Sequence, residues 1–323
     1  MPQMPIKYTI SIHSAKTHKA KLCYANRYQN DGASTLERLA QIKTAGFILK
    51  PDSPEIKPLY EKIRGAFETK GICVLLSQHS AEMIGSEGVL FDEMCTISDF
   101  LVSLGGDGTL LSLARRSYAY RKPVLGINAG NLGFLADITI EEVDNFLDQL
   151  LKGEYRVDER MMIEGYIRKA SGKKEQFFAF NDVVISRPVI SKMVQINAAI
   201  DGEMFNSYKG DGLIVATPTG STAYNLAAGG PVMYPLTEAF ILTPIMAHSL
   251  TQRPLVVPAD FTLELSSLDE KVMAMIDGQD AYEIHQGDVL VIKGAKRGAR
   301  LLHRKERNYF SVLREKLSWG DRN

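Results

Sequence analysis

Apolar and polar positions divide the 323-residue chain into two styles of patterning. Between residues 45 and 153, short apolar runs alternate with stretches of helical period. The runs are Gly46–Leu49, Ile72–Leu76, Phe100–Leu104 and Pro123–Ile127. Between them Ile56, Leu59, Tyr60, Ile63 and Phe67 recur near helical spacing, and Val143, Phe146, Leu147, Leu150 and Leu151 do so over 141–151. Short apolar runs read as buried strands and the longer period as helices. Their alternation predicts βαβ units and a mostly parallel sheet. From residue 154 the segments Tyr155–Arg168, Gln176–Ser186, Val194–Ile200, Leu213–Ala216 and the later Leu255–His303 region are rich in β-branched and aromatic residues. Asp201-Gly202 and Asp277-Gly278 between such runs predict hairpin turns. A helical pattern returns only after Arg307, with Phe310, Leu313 and Leu317. The expected layout is an extension over 1–44, an α/β domain over 45–153, a mostly β domain over 154–301, and a segment over 302–323 that packs back on the first domain.

Composition narrows the function classes. Thirty-eight basic and 38 acidic side chains balance, so no global field favours nucleic acid or an anionic membrane. No apolar run approaches the roughly 18–20 residues of a membrane span. The three cysteines, Cys23, Cys73 and Cys95, fit no zinc spacing, and reduced thiols in a cytoplasmic protein are expected. Cys73 lies in an apolar run and is expected to be buried. The first 30 residues carry Lys7, Lys16, Lys19, Lys21 and Arg27 and no acid. They lack a secretory apolar core, and Tyr8–Ile12 alternates like a strand, so a loosely held extension is expected.

The chemistry begins where the Phe100–Leu104 run meets Gly105-Gly106-Asp107-Gly108-Thr109. A strand, a tight turn and a helix follow one another there. Glycines admit close approach of a bound group, and amides at a helix start face an anion. A turn that only bound phosphate would gain nothing from Asp107; one that also deprotonates a nucleophile or holds a metal would. Gly126–Asp137, with Asn128, Asn131 and three further glycines counted from Gly126, is a backbone-rich loop after another strand. Asn181-Asp182 interrupts an apolar strand with an amide and an acid, a pair suited to a sugar diol. Asp211 to Pro231 runs from a strand into a hydroxyl-rich turn and a short helical stretch, in which Ser221 or Thr222 is positioned to act as N-cap. Tyr224 there can stack on a flat ring. Walker-type and dinucleotide glycine fingerprints and a serine-hydrolase elbow are all lacking.

Together these stretches resemble the NAD kinase family, in its bacterial, ATP-dependent form. The carrying residues are Gly105–Thr109, the Asn128–Asp137 loop, Asn181-Asp182 and above all Asp211–Pro231. The resemblance implies a Rossmann-like α/β amino-terminal domain, an all-β second domain and a carboxyl-terminal segment returning to the first. It implies transfer of the terminal phosphoryl group of ATP to the 2′-hydroxyl of the adenosine ribose of NAD, giving NADP. Asp107 is then the catalytic base or helps place a metal. Gly105, Gly106, Gly108 and Thr109 face the ATP phosphates. NAD is met by Asp107, Gly108, Asn181, Asp182, Lys192, Lys209, Asp211, Thr222, Ala223, Tyr224, Asn225, Leu226, Ala227 and Gln279, with Asn128 and His248 as further candidates. Mg²⁺ or another divalent ion is expected on the ATP phosphates, with no metal ligand assigned to the protein. A homodimer or homotetramer, without nucleic acid or membrane partners, is implied. Residue 182 is Asp where many relatives have Glu, and residue 227 is Ala where Ser is common. Two other readings share parts of the pattern. A diacylglycerol-type lipid kinase predicts an apolar acceptor pocket, and a non-catalytic dinucleotide-binding regulator predicts loss of the acid at 107.

Overall fold

The computed structural model describes residues 39, 41–130, 133–187 and 193–320, all within one compact unit that begins at Arg38. The extension up to residue 38, Asn131 and Lys192 lie outside the described residues.

Nineteen strands form three sheets among the described residues. In chain order they begin with β1 (Thr44–Leu49), β2 (Cys73–Leu76), β3 (Phe100–Gly105), β4 (Val124–Asn128), β5 (Ile138–Thr139), β6 (Tyr155–Arg160), β7 (Ile163–Arg168), β8 (Lys174–Ala179), β9 (Asp182–Ser186) and β10 (Val194–Ile200). They continue with β11 (Glu203–Gly210), β12 (Gly212–Ala216), β13 (Ala239–Ile245), β14 (Leu255–Pro258), β15 (Leu263–Ser267), β16 (Lys271–Ile276), β17 (Asp280–His285), β18 (Val289–Gly294) and β19 (Ala299–Arg304). The helices are α1 (Lys57–Thr69), α2 (Gln78–Ile84), α3 (Phe91–Ile97), α4 (Asp107–Arg116), α5 (Val143–Lys152), α6 (Tyr224–Ala227) and α7 (Tyr309–Leu317).

The first sheet has the order β2-β1-β3-β4-β19-β6, with β5 beside β4. All its pairs are parallel except β19 with β6. Helices cover both faces. Phe47 and Phe100 on one face meet Ile63 and Phe67 of α1 and Phe146 of α5. On the other face Leu101, Val124 and Leu301 meet Met94 of α3 and Leu110 and Leu113 of α4. Parallel strands need this double cover, which is why their apolar runs are continuous. Gly105 is paired with Asn128 in register, so the glycine turn and the 129–137 loop both leave the carboxyl ends of adjacent strands. Open α/β sheets bind ligands at such ends.

The other two sheets are antiparallel and six-stranded, in the orders β11-β10-β15-β18-β7-β8 and β14-β13-β12-β9-β16-β17. Ile163, Phe177, Leu265 and Leu290 of the first and Leu213, Phe240, Leu242 and Ile276 of the second share one core. Both expected hairpins form, between β10 and β11 and between β16 and β17. Their turns carry positive φ at Asp201 and Gly202 and at Asp277 and Gly278. Phe180, just before β9, is fully buried in the core on the α4 face of the first sheet. It fastens the Asn181-Asp182 pair to that layer.

Three local expectations differ from the structure. Tyr155–Arg160 and Ala299–Arg304 read as part of the β-rich region, but both belong to the first sheet. A strand's own pattern records that it is buried, not which strands flank it. Cys73 is exposed, because β2 is an edge strand and Cys73 sits beside the buried Ile72 on the alternating face. Helices α2 and α3 lack a sustained apolar stripe, which left them unread.

Candidate active site

Gly106 is the N-cap of α4, with extended backbone, and Asp107 is the first helical residue. The first amides of a helix have no intrahelical partner. A Cβ at Gly106 or Gly108 would meet open space, whereas at Gly105 it would press on the Thr109 hydroxyl, 2.5 Å away. Gly105 is therefore needed for packing of the buried Thr109, while Gly106 and Gly108 present bare backbone outward.

The Asp107 carboxylate is held by its neighbours. Oδ2 accepts from the Phe134 amide at 2.7 Å. Oδ1 accepts from Leu135 at 3.1 Å and Ala136 at 3.0 Å. Of about four lone-pair sites on a carboxylate, one on Oδ2 remains for a further partner. Gly133 permits this contact, since a Cβ there would overlap the Asp107 carboxylate. Asn128 braces the start of the same loop: its Oδ1 accepts from Gly130 N at 2.8 Å. Arg307 braces the other end by donating to the Phe134 carbonyl. It also pairs with buried Asp137, Nε to Oδ2 at 2.8 Å.

A cavity of about 480 Å³ is lined by Asn181, Asp182, Val184, Ser186, Ala223, Tyr224, Met275, Asp277 and Gly278. Three stretches far apart in sequence supply these walls. The backbone of the first is fixed by Asp277, whose Oδ2 accepts from Phe180 N at 2.8 Å. Its Oδ1 accepts from Asn181 N at 2.7 Å and Asp182 N at 3.1 Å. The second stretch is tied to the first by Thr217, whose hydroxyl donates to Phe180 O at 2.7 Å and whose amide donates to Asn181 O at 2.8 Å. Gly220 lies so close that a Cβ would overlap the Asn181 backbone. Burial, and then the charge of Asp277, pushes the Asp182 carboxyl up to about 7. Burial raises Asp277 too, against the pull of three amides and Arg115.

The cavity and the glycine turn meet through Gln279. Its Nε2 lies 3.5 Å from Gly108 O, and its Oε1 accepts from Arg115 Nη2 at 3.1 Å. Gly108 of the glycine turn is thus brought next to Gln279, two residues from the Asp277 that holds Asn181 and Asp182.

The Asp211–Pro231 stretch splits into two roles. Half-exposed Tyr224 and its neighbour Ala223 line the cavity. Asn225 is wholly buried and satisfied: its Nδ2 donates to Ser221 O and Pro231 O, and its Oδ1 accepts from Thr243 at 2.6 Å. It shapes the loop from inside. Neither Ser221 nor Thr222 caps the short helix; Ala223 holds the N-cap position without a side-chain bond. Ser221 Oγ instead accepts from Met233 N at 3.0 Å. Thr222 donates to Thr219 O, and Leu226 and Ala227 lie on α6. Asp211 pairs with Arg187 at 2.9 Å, and Lys209 and His248 are exposed side chains joined by a His248 N to Lys209 O bond of 2.9 Å.

Sequence reasoning missed Asp277 and Arg115 as parts of the site. Asp277 was legible only as a turn residue, and Arg115 only as a helix-end cation. Among the described residues no group of three or more His, Cys, Asp or Glu side chains is placed to hold a metal. One open oxygen on Asp107 fits an ion carried by phosphates and water better than a protein-built cage.

Residues 46–155 match the ATP-NAD kinase N-terminal domain and residues 180–304 the ATP-NAD kinase C-terminal domain. The chain belongs to the NAD kinase family. It is similar to the NAD kinase of Wolinella succinogenes, at 52% identity over 88% of this chain and 99% of that one. It is also similar to the NAD kinase of Sulfurimonas denitrificans, at 49% over 87% and 98%. An Archaeoglobus fulgidus NAD kinase solved in complex with ATP superposes with a TM-score of 0.68 at 27% identity, covering 85% of this chain and 98% of that one. The fold is shared with yeast NADH kinase complexed with NADH, at TM-score 0.79 and 22% identity over 88% and 89% of the two chains. The NAD kinase family accounts for a mixed α/β sheet and an antiparallel β part in one chain. A diacylglycerol-type lipid kinase would share the two-part layout, but both matching family models are NAD kinase domains.

Proposed function

We propose that this chain transfers the terminal phosphoryl group of ATP to the 2′-hydroxyl of the adenosine ribose of NAD, forming NADP. The observation that carries the reading is the Asp277–Gln279 turn, whose Gly278 lines a cavity with Asn181, Asp182 and Tyr224 and whose Gln279 reaches Gly108 of the anion-attracting glycine turn with its one acid. The α/β part, 45–153, supplies the donor side. The two antiparallel sheets supply the acceptor side, while β6 and β19 belong with the donor-side sheet.

Phosphoryl transfer asks a protein mainly for positioning and charge stabilisation. In our reading the bare amides at Gly106, Asp107 and Gly108 and the dipole of α4 receive the donor phosphates. Asn181 and Asp182 accept and donate to the ribose hydroxyls, and Tyr224 stacks on a ring of the dinucleotide. The open Oδ2 site of Asp107 takes the proton of the 2′-hydroxyl as it attacks, a contribution of about 10²–10⁴-fold. A divalent ion such as Mg²⁺, bound with ATP, neutralises charge on the phosphates. Lys192, Lys209, Asp211 and His248 are assigned to the outer part of the acceptor.

We infer a cytoplasmic location, supported by the free thiols Cys73 and Cys95; no helix among the described residues is long and apolar enough to cross a membrane. We also infer a homo-oligomer, supported by exposed Met204, Phe205, Met246 and Leu250 on the β part. Light scattering of the purified chain checks it, and a single-chain mass overturns it.

Incubation of the protein with ATP, Mg²⁺ and NAD, followed by an NADP-specific assay, tests the activity. NADP should accumulate; none from folded protein would refute the reading. Asp107→Asn should lower kcat by about 10²–10⁴-fold with NAD affinity within a few-fold of the parent. Near-normal turnover removes Asp107 from the base role.

A further inference from the structure

We propose that Arg115 and Asp277 are positioning residues, a latch that holds the acceptor platform in register with Asp107. The inference rests on the acceptor site proposed above. Helix α4 carries Asp107 in its first turn and Arg115 in its last. Eight residues at about 1.5 Å each separate them by roughly 12 Å along a rigid rod. At its far end the Arg115 guanidinium spreads over one hairpin turn. Nη1 lies 2.7 Å from Asp280 Oδ2. Nη2 donates to Gln279 Oε1 at 3.1 Å. Nε lies 3.9 Å from Asp277 Oδ2. The planar fork of arginine suits this three-point grip, and a lysine ammonium cannot reproduce it.

Asp277 converts that grip into acceptor geometry. Its side chain is fully buried, and it accepts from the consecutive amides of Phe180, Asn181 and Asp182. Its own amide donates to Asp182 O at 2.9 Å. The backbone from which Asn181 and Asp182 project therefore follows Asp277, and the turn bearing Asp277 follows Arg115. Gln279 closes the circuit back to Gly108 at the near end of α4. One helix thus carries the acid in its first turn and, rooted in its last turn, the arginine that grips the turn holding the acceptor platform. Reacting atoms displaced by about 1 Å can cost roughly 10²-fold in rate, so such a link acts on kcat.

Arg115→Ala and Arg115→Lys test the latch with the whole enzyme. The readouts are kcat, the KM values for NAD and ATP, the calorimetric Kd for NAD, and the melting temperature. Arg115→Ala should lower kcat by about 10²-fold, leaving ATP KM and NAD Kd within about threefold, because the individual contacts survive while their alignment does not. Arg115→Lys should recover part of kcat through its charge. A kcat per folded enzyme within twofold of the parent in Arg115→Ala overturns the latch. So does a loss confined to the melting temperature, since a purely structural role predicts that alone. A parent that forms no NADP overturns the activity itself, a separate result.

Discussion

Asp182 shows how much one side chain's surroundings decide. Its carboxyl is almost fully buried beside a second buried carboxyl, Asp277, and is pushed up to about 7. The raised value means that the folded chain holds this proton more tightly than the unfolded chain does. Stability from that proton is fully present below the ordinary value near 3.8 and is lost as pH rises through about 7. Acceptor binding runs the other way, because the ionised form is acceptor-only and takes hydroxyl donors in stronger, charge-assisted bonds. KM for NAD is therefore expected to climb as pH falls below 7, approaching about tenfold per unit, and to level off above it. Initial rates from pH 5.5 to 8.5 check this, and Asp182→Asn should flatten the curve. A flat curve in the parent would show that Asp182 does not meet NAD as a carboxylate.

Elements differ in how openly they are written. The turn of Gly105–Thr109 and helix α4 are legible because the glycines, the acid and the stripe of Leu110, Leu111, Leu113 and Ala114 lie within ten residues. The two Asp-Gly hairpins are legible for the same local reason. Asp277 and Arg115 are not, since their partners lie 95 to 97 and 164 positions away, respectively, and no local pattern records that. Residues of the Asp211–Pro231 stretch could be marked as special, but whether a side chain faces the cavity, like Tyr224, or the interior, like Asn225, depends partly on Thr243 of β13, outside the stretch. Helix α5 illustrates an element whose start is local. Thr139 and Glu142 form a reciprocal capping box just before it, with Thr139 N to Glu142 Oε2 at 3.0 Å, and Gly153 ends it at φ 77°. Thr139→Ala should cost about 1 kcal/mol and lower Tm by roughly 2–4 °C, measured by differential scanning calorimetry.

At the scale of the molecule, a buried charge network joins the returning segment to the first sheet. His303 lies between Asp137, 3.2 Å from Nδ1, and Arg307, 3.1 Å from Nε2. Asp158 pairs with Arg160 at 2.9 Å and Arg156 at 2.8 Å. Burial alone would raise Asp137 and Asp158, yet the surrounding cations hold both below the usual carboxylate range. His303 is the leading lowering influence on both, ahead of the guanidinium groups, although burial and Arg307 push His303 itself down to about 4 and leave it neutral at pH 7. A neutral ring that donates from Nδ1 and accepts at Nε2 satisfies both neighbours. The sign for stability follows. His303 takes its proton near 6.5 when unfolded and near 4 when folded, so its contribution is present above 6.5 and is lost as pH falls through 4. The Asp137 and Asp158 contributions are lost lower still. Between pH 7 and pH 5 the His303 contribution falls while that of the Asp182 proton rises, so variants separate them: by differential scanning calorimetry, Asp182→Asn should make Tm drop more steeply over that range and His303→Gln less steeply. Removing one charge outright is harsher: breaking a buried pair costs about 3–5 kcal/mol, and Arg307 also holds the loop that holds Asp107.

The position of β19 bears on how the chain comes to be folded during synthesis. This strand, made almost last, lies between β4 and β6 in the interior of the first sheet. A nascent chain that has emerged only as far as Gly298 has every helix of the α/β layer but leaves β4 with an open edge. Exposed strand edges recruit other chains, and pairings across long sequence separations form slowly. The amino-terminal half therefore waits for the ribosome to finish. A premature stop between residues 280 and 298 should yield an aggregating fragment, even though every residue from Gly105 to Gln279 has already been made.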